Sequence, residues 1–153
     1  MTQRYFYCYS LPLDVGSVIR PGNWGRILRT YTPQSSPNAW ILTRELVWEV
    51  VRLRSFPDRP SRFEAIFLCL SEKDLNEFSA AAGRRLDLAY EVELVDPSAG
   101  SHTGDLTLTN IQNTDSPAVF EQRATQYWQG TNIVKPELIT VSPIRITRVL
   151  PTS

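Results

Sequence analysis

The side chains that could do chemistry in this sequence are carboxylates, arginines and tyrosines. Glu137 follows Pro136 and opens a β-prone run, residues 138–141. Because ladder hydrogen bonds hold a strand rigidly, this position suits a catalytic carboxylate. An exposed glutamate at the end of a strand is the other interpretation that the same pattern permits.

Arg62 lies where a turn enters an apolar run that is typical of a buried strand. Its planar guanidinium could hold a phosphate or order a cleft. A structural ion pair with Glu64 or Asp58 is the alternative. Tyr127 and Trp128 stand side by side at the predicted end of a helix, where they could pack in the core or offer a stacking surface for a flat ring.

His102 precedes Asp105 by three residues and could form a proton-transfer pair with it. No nucleophile signature accompanies the pair, so the sequence favours a solvated loop histidine. The sequence contains neither a Gly-x-Gly-x-x-Gly motif nor a P-loop motif, and it therefore predicts no Rossmann or P-loop nucleotide site. Two cysteines, Cys8 and Cys69, and one histidine cannot build a typical structural zinc site, so we expect no metal.

The composition is that of a globular protein, with 42% hydrophobic and 21% charged residues among 153. This length predicts a single domain over residues 1–153. Sixteen basic residues balance 16 acidic ones, which leaves no overall field to attract a nucleic acid or a membrane. No apolar run is long enough to span a bilayer, and the first residues lack a signal-peptide core. We therefore expect a cytoplasmic protein, unless a carrier delivers it into another cell.

Periodicity and breakers predict about five or six strands and three helices, which indicates an α+β fold with a mostly antiparallel or mixed sheet. Residues 40–54 read as an amphipathic helix. Its apolar face is formed by residues at helical spacing: Ile41, Leu42, Leu46, Val47, Val50 and Val51. Its charged face carries Glu45 and Glu49, which alternate with Arg44, Arg52 and Arg54. Two further helices are predicted, one after Ser71 and one that starts at Ser116 and stops at Gly130. The predicted strands are residues 4–10, 62–70, 86–95, 138–141 and 144–150, with a short one at 106–108. Residues 11–38 read mostly as loop.

Several short motifs in this order resemble the ADP-ribosyltransferase superfamily. They are Tyr5–Ser10, Pro60–Arg62 with Ile66–Leu68, Ser71–Phe78, Tyr90–Glu93, Pro136–Ile139 and Pro143–Ile146. The sequence is most similar to the small bacterial branch near the rifampicin ADP-ribosyltransferases and related uncharacterised proteins. The resemblance spans nearly the whole chain.

The resemblance implies a split pair of small, mostly antiparallel sheets with NAD, the substrate, in the cleft between them. Glu137 would bond the ribose hydroxyl and stabilise the positive charge of an oxocarbenium-like state, with Asp105 as the second candidate. Tyr9 or Tyr127 would sandwich the nicotinamide ring, and Arg62 would order the cleft or meet the pyrophosphate. The family's first strand carries a histidine near the position of Cys8, so either Tyr7 or Tyr9 takes its role or activity is altered or lost.

The function implied is that of an NAD-dependent mono-ADP-ribosyltransferase that acts on a protein, a nucleic acid or a small molecule. The alternative is a non-catalytic module on the same fold that binds a partner, as one part of a toxin, effector or defence system. A third hypothesis is an RNA-binding domain that uses a set of arginines: Arg52, Arg54, Arg59, Arg62, Arg84 and Arg85.

Overall fold

Short runs of alternating or apolar residues form the strands, and capped runs form the helices. The computed structural model describes residues 2–35 and 38–151. The predicted loop over residues 11–38 therefore includes two residues, Ser36 and Pro37, that lie outside the described part. The strands are β1 Tyr5–Tyr9, β2 Val18–Ile19, β3 Ile66–Cys69, β4 Leu88–Leu94, β5 Ser101–Asp105, β6 Pro136–Thr140 and β7 Ile144–Val149. The helices are α1 Asn23–Leu28, α2 Ala39–Ser55, α3 Glu72–Ala81 and α4 Pro117–Gln129, with a 3-10 turn at Leu106–Thr109.

The helix ends follow the capping residues that the sequence shows. The Ser71 side chain accepts a hydrogen bond from the Asp74 N–H at the start of α3. Ser116 caps α4 in the same way, with Pro117 in the first turn, and Gly130 ends the helix in the left-handed conformation. These three predicted caps are confirmed. They could be predicted because each capping contact joins residues only a few positions apart in the chain.

Several predicted element boundaries are wrong. The strand predicted at residues 106–108 is a 3-10 turn, whose Thr107 N–H bonds to the Asp105 carboxylate. The segment that reads as a loop around His102 is β5, which pairs with β6. The predicted strand over residues 62–70 begins only at Ile66, so Arg62 lies in the preceding turn. The predicted loop over residues 11–38 contains α1 and β2.

The strands of the described ranges form one antiparallel sheet of seven, in the order β2-β7-β4-β1-β3-β6-β5. This confirms the α+β class and the antiparallel pairing. The two separate sheets that the resemblance implied are joined here, although weakly. Within the described residues, β1 meets β3 at one register position, Phe6 opposite Cys69, whereas β1 pairs with β4 at five positions.

Two hydrophobic clusters cover the two faces of the sheet. Leu68 and Leu138 are paired neighbours in β3 and β6, and both belong to a cluster with Tyr90 and Ile146 of the other half. The next residue of β6, Ile139, points to the opposite face because side chains alternate along a strand. There it packs against a second cluster contributed mainly by α2 and α4, whose largest buried members are Trp48, Phe120, Tyr127 and Trp128.

Helix α2 turns toward the core a face that only partly matches the one that its sequence predicts. Leu46 and Val50, assigned to the apolar face, are exposed, whereas Glu45 and Arg52 are buried beside Trp48. Charged residues can occupy a buried face only when partners satisfy them. Arg52 bonds Glu49 and the carbonyls of two loop residues, and Glu45 meets two arginines. The predicted apolar face is therefore wrong for Leu46 and Val50, whereas Val51 and Val47 of the same predicted face pack against the core.

The close approach of α4 to β5 requires a glycine, which gives a stability prediction. A Cβ on Gly104 would lie 2.4–2.7 Å from the ring atoms of Tyr127. We expect Gly104→Ala to lower the free energy of unfolding by about 1–3 kcal/mol, because either the Tyr127 ring or strand β5 must shift to make room for the methyl group. Urea denaturation measures this change. The matched control is Gly100→Ala, whose new Cβ would meet a Val141 methyl at an ordinary 3.7 Å. Equal losses in the two variants would contradict the steric explanation.

Candidate active site

A buried arginine, Arg62, connects three elements of the structure. Its Nε and Nη2 donate to the two carboxylate oxygens of Glu45 on α2, at 2.8 and 3.1 Å. Its Nη1 donates to the Tyr127 hydroxyl on α4 at 2.7 Å and to Glu137 Oε1 on β6 at 2.5 Å. The structural ion pair with Glu64 or Asp58 is thus replaced by pairs with two carboxylates distant in sequence.

Tyr127 completes a triangle with Arg62 and Glu137. Its hydroxyl donates to Glu137 Oε1 at 2.8 Å. Burial raises the pKa of Tyr127 well above its usual value, an effect that Arg62 opposes and Glu137 reinforces, so the phenol stays protonated and keeps donating. The ring is fully buried and packs edge-on against Trp48 and His102. Tyr127 therefore presents its hydroxyl to the site, and its ring is used for core packing.

Glu45 holds the opposite side of the Arg62 guanidinium. Burial alone would raise the pKa of Glu45, but Arg62 and then Arg44 outweigh it and lower the pKa to about 2. Arg44 also donates to the Thr109 carbonyl at 2.6 Å, which ties the cluster to the 3-10 turn. Two guanidinium groups and two carboxylates thus form a balanced buried network, which we call the Arg62 network: Arg44, Glu45, Arg62, Tyr127 and Glu137.

Glu137 is the member of the Arg62 network with an oxygen left over. It lies in β6 between Cys69 of β3 and Gly104 of β5. Oε1 accepts from both Arg62 and Tyr127, whereas no other described residue donates to Oε2. The side chain keeps 9% of its surface exposed. The interpretation of Glu137 as an exposed strand-end residue is therefore wrong: the carboxylate is fixed by one oxygen and open at the other.

A cleft of about 250 Å³ is lined by Cys69 and Pro136, the sheet neighbours of Glu137, although not by Glu137 itself. Cys69, directly opposite Glu137 in the sheet, lies in its lining. Burial, reinforced by Glu137, raises the pKa of the Cys69 thiol to about 12, so it is a neutral thiol and a poor nucleophile at neutral pH. One wall is α3 and the other is the 3-10 turn with the start of β6; among the lining residues are Asp74, Glu77, Phe78, Thr107, Asn110 and Lys135.

Tyr7 and Tyr9 lie on the other face of the sheet. Phe6 stands opposite Cys69, and Cys69 stands opposite Glu137, so these three side chains share one face. Tyr7 and Tyr9 alternate with Phe6, and Tyr7 pairs with Tyr90 on the far side. Burial, followed by the neighbouring Tyr9, raises the pKa of Tyr7 to about 12. The structure thus brings Arg62, Tyr127 and Glu137 together and leaves these two tyrosines apart.

Asp105 and His102 have structural partners. Asp105 Oδ1 accepts from the Thr107 N–H, the Thr107 hydroxyl and the Lys135 N–H, and so joins the 3-10 turn to the start of β6. Burial would raise the pKa of Asp105, but these donors lower it. His102 is buried in β5, with Nε2 2.7 Å from the Tyr127 carbonyl oxygen. The prediction of a solvated loop histidine is wrong, and the structure gives His102 and Asp105 separate partners.

Glu45 and Arg44 were not predicted from the sequence as members of the site. For Glu45 a signal existed, because the spacing of Glu45, Trp48 and Arg52 places two charged residues on the helix face of a large aromatic. The arginines of the RNA-binding hypothesis also divide in two groups. Arg52 and Arg62 are buried in ion pairs and Arg84 pairs with Asp87. The remaining three are exposed: Arg54, Arg59 and Arg85.

Within residues 2–35 and 38–151, no group of three or more His, Cys, Asp or Glu side chains could hold a metal ion. No helix of this part of the chain combines the length and the apolar character that crossing a membrane requires.

Removal of the central guanidinium should be strongly destabilising. Arg62→Met leaves Glu45 and Glu137 buried without their shared cation, and we expect a loss of about 3–5 kcal/mol in the free energy of unfolding. Chemical denaturation measures it. The control is Arg148→Met, which removes a largely exposed arginine from Glu91 while Arg4 still pairs with that glutamate; about 0–1 kcal/mol is expected. Similar losses in both variants would show that the Arg62 network contributes no more to the free energy of unfolding than an exposed ion pair does.

Glu45 also gives a pH dependence of stability. Its pKa in the folded protein, about 2, is below the ordinary 4.5, so its contribution is complete above pH 4.5 and is lost as the pH falls toward 2. We expect the free energy of unfolding of the wild type to drop more steeply over this window than that of Glu45→Gln, measured by denaturation at successive pH values. Parallel pH profiles for the two proteins would rule out this assignment.

The comparisons with known proteins concern the family alone. No curated protein matches the chain. Residues 25–150 match the family described as "Protein of unknown function (DUF2441)", a span that contains β3 to β7 and the whole Arg62 network. The chain therefore belongs to the DUF2441 family.

Proposed function

We propose that the protein is an NAD-dependent mono-ADP-ribosyltransferase whose reacting carboxylate is Glu137. The observation that carries the proposal is the state of this side chain. Arg62 and Tyr127 fix one oxygen, the second has no donor among the described residues, and the neighbouring Cys69 and Pro136 line an open cleft. The motif resemblance and the narrow join between the two halves of the sheet support the same proposal.

The chemistry follows from the position of the free oxygen. Cleavage of the nicotinamide–ribose bond passes through an oxocarbenium-like state, as in glycoside hydrolysis. A carboxylate placed beforehand beside the ribose stabilises that positive charge without reorganising. In this arrangement Glu137 Oε2 accepts a hydrogen bond from a ribose hydroxyl, while Arg62 and Tyr127 keep the carboxylate from rotating. Nicotinamide leaves, and the acceptor, a protein, nucleic acid or small molecule, takes the ADP-ribose.

The cleft supplies different binding groups from those that the sequence suggested. Tyr7 and Tyr9 lie on the far face, so the proposal assigns ring stacking to Phe78 of α3, which lines the cleft. Lys135, at the opposite wall and 3.7 Å from Glu77, is a basic residue of the lining, and the proposal assigns it to the pyrophosphate. We place this reaction in the cytoplasm, and the free thiols of Cys8 and Cys69 support a reducing compartment.

A non-catalytic binding module on the same fold is the second candidate. The ion pair between Arg62 and Glu137 favours it, because a guanidinium at 2.5 Å already compensates the carboxylate charge. The separation of Tyr7 and Tyr9 from Glu137 favours it as well. In this version the Arg62 network is structural, and the exposed arginines, Arg54, Arg59 and Arg85, are available for an anionic partner such as RNA.

Substitution of Glu137 separates the two candidates. We expect Glu137→Gln to reduce the release of nicotinamide from NAD by roughly 100-fold or more, because the amide cannot stabilise the developing cation. Chromatography of the released nicotinamide measures the rate. The matched control is Glu45→Gln, which removes the other carboxylate partner of Arg62 but leaves Glu137 in place. Comparable losses in both variants would assign the effect to folding and would contradict the catalytic role of Glu137.

Binding of NAD is tested independently by thermal denaturation of the wild type. At about 100 times its dissociation constant, NAD should stabilise the protein by roughly 2.7 kcal/mol. A wild type that shows neither this stabilisation nor any nicotinamide release overturns the transferase proposal in favour of the binding module.

A further inference from the structure

The outer surface of α2 carries an exposed apolar stripe. Leu46, Val50 and Leu53 are 51%, 54% and 60% exposed, and Thr43 continues the line toward the N-terminus of the helix. These residues are spaced three, four and three apart. That spacing places them on one narrow line, the a and d positions of a coiled-coil seam. We call this line the α2 seam.

The α2 seam lies opposite the buried face of the helix. Trp48 and Val51, between the seam residues in sequence, are fully buried against the core. The seam therefore contributes nothing to the core of its own chain. A shallow groove beside it is lined by Thr43, Leu46, Val47, Val50 and Glu121, the last from α4. Contiguous exposed apolar surface of this kind, with a charged rim, is typical of an interaction site.

The seam is complementary to itself when two copies run antiparallel. A two-fold axis that passes α2 at the level of Trp48 brings Leu46 of one copy against Val50 of the other. The same axis brings Thr43 against Leu53, so that every seam residue meets a seam residue. Such an isologous arrangement is the one that a two-fold dimer requires.

The charges beside the seam fit the same arrangement. Arg54 lies exposed at the C-terminal end of α2, and Glu121 lies exposed on α4 beside Thr43 and Val47. Neither makes an ion pair with another residue of the described part of the chain. In the antiparallel arrangement, Arg54 of each copy approaches the Thr43 end of the other, where Glu121 stands. A parallel arrangement would place the two Arg54 side chains together, which like charge disfavours.

We propose that the protein forms a two-fold symmetric homodimer through the α2 seam, with the two helices antiparallel. The interface consists of the four seam residues of each copy, and Arg54 pairs with Glu121 of the other copy at both ends. This dimer is independent of the proposed transferase activity, since it uses the face of α2 that points away from Glu137 and the cleft.

Sedimentation velocity of the full chain over a range of concentrations tests the dimer. We expect the wild type to sediment with twice the chain mass at micromolar concentrations. Leu46→Glu and Val50→Glu should each sediment as the monomer with an unchanged circular dichroism spectrum, because both side chains are exposed within one chain. The control is Leu86→Glu, which alters a 98% exposed leucine away from α2 and should remain dimeric. A monomeric wild type, or a dimer that survives Leu46→Glu, overturns the proposal.

Charge exchange tests the orientation. Arg54→Glu and Glu121→Arg should each raise the dissociation constant of the dimer roughly tenfold, because one substitution abolishes both symmetry-related ion pairs. The double variant with both exchanges should recover the wild-type dissociation constant. A double variant as weak as the single variants would refute the antiparallel pairing.

Discussion

The guanidinium of Arg62 is the group on which the arrangement of helices and sheet depends. It is buried where α2, α4 and β6 converge, and it bonds one residue from each. Glu45 and Glu137 could not be buried without a cation, since the desolvation of a charge costs several kcal/mol. Arg44 supplies the second positive charge, so two cations balance two anions. Helices α2 and α4 are thereby fixed to β6 by hydrogen bonds whose geometry tolerates little displacement.

A buried network of this kind adds little net stability compared with apolar residues of the same size. Its presence in the core therefore calls for a reason other than stability, and the asymmetry of Glu137 suggests one. A purely structural carboxylate would use both oxygens, as Glu45 does. Glu137 uses one, and its neighbour in the sheet lines a cleft. The contacts with Arg62 and Tyr127 partly compensate the charge of Glu137 and fix its position. Catalysis by Glu137 would therefore depend more on the orientation of its carboxylate than on the strength of its electric field.

The sequence predicts those parts of the fold that depend on neighbours in the chain. The caps at Ser71, Ser116 and Gly130 are correct because each involves residues within one helical turn. Strand β5 was missed because its sequence, with Gly104 and His102, has little intrinsic preference for a strand and gains its pairing from β6, more than 30 residues later. Glu137 could be selected from its place at the start of a strand. Its partner Arg62 is 75 residues away, and no local pattern indicates that contact.

Helix α2 shows the same limit most clearly, because part of the apolar face that its hydrophobic pattern predicts points away from the core. A periodic pattern indicates which side of a helix avoids water, yet it cannot say whether a core or another chain provides the shelter. Here Trp48 and Val51 share the core side of α2 with the charged Glu45 and Arg52. The charges are satisfied by arginines, by Glu49 and by loop carbonyls, and the apolar residues Leu46, Val50 and Leu53 remain outside. Both faces of α2 would be protected from water if the core covers one face and a second copy covers the other. A second copy on the α2 seam would then also hold rigid the helix that carries Glu45 and Arg44.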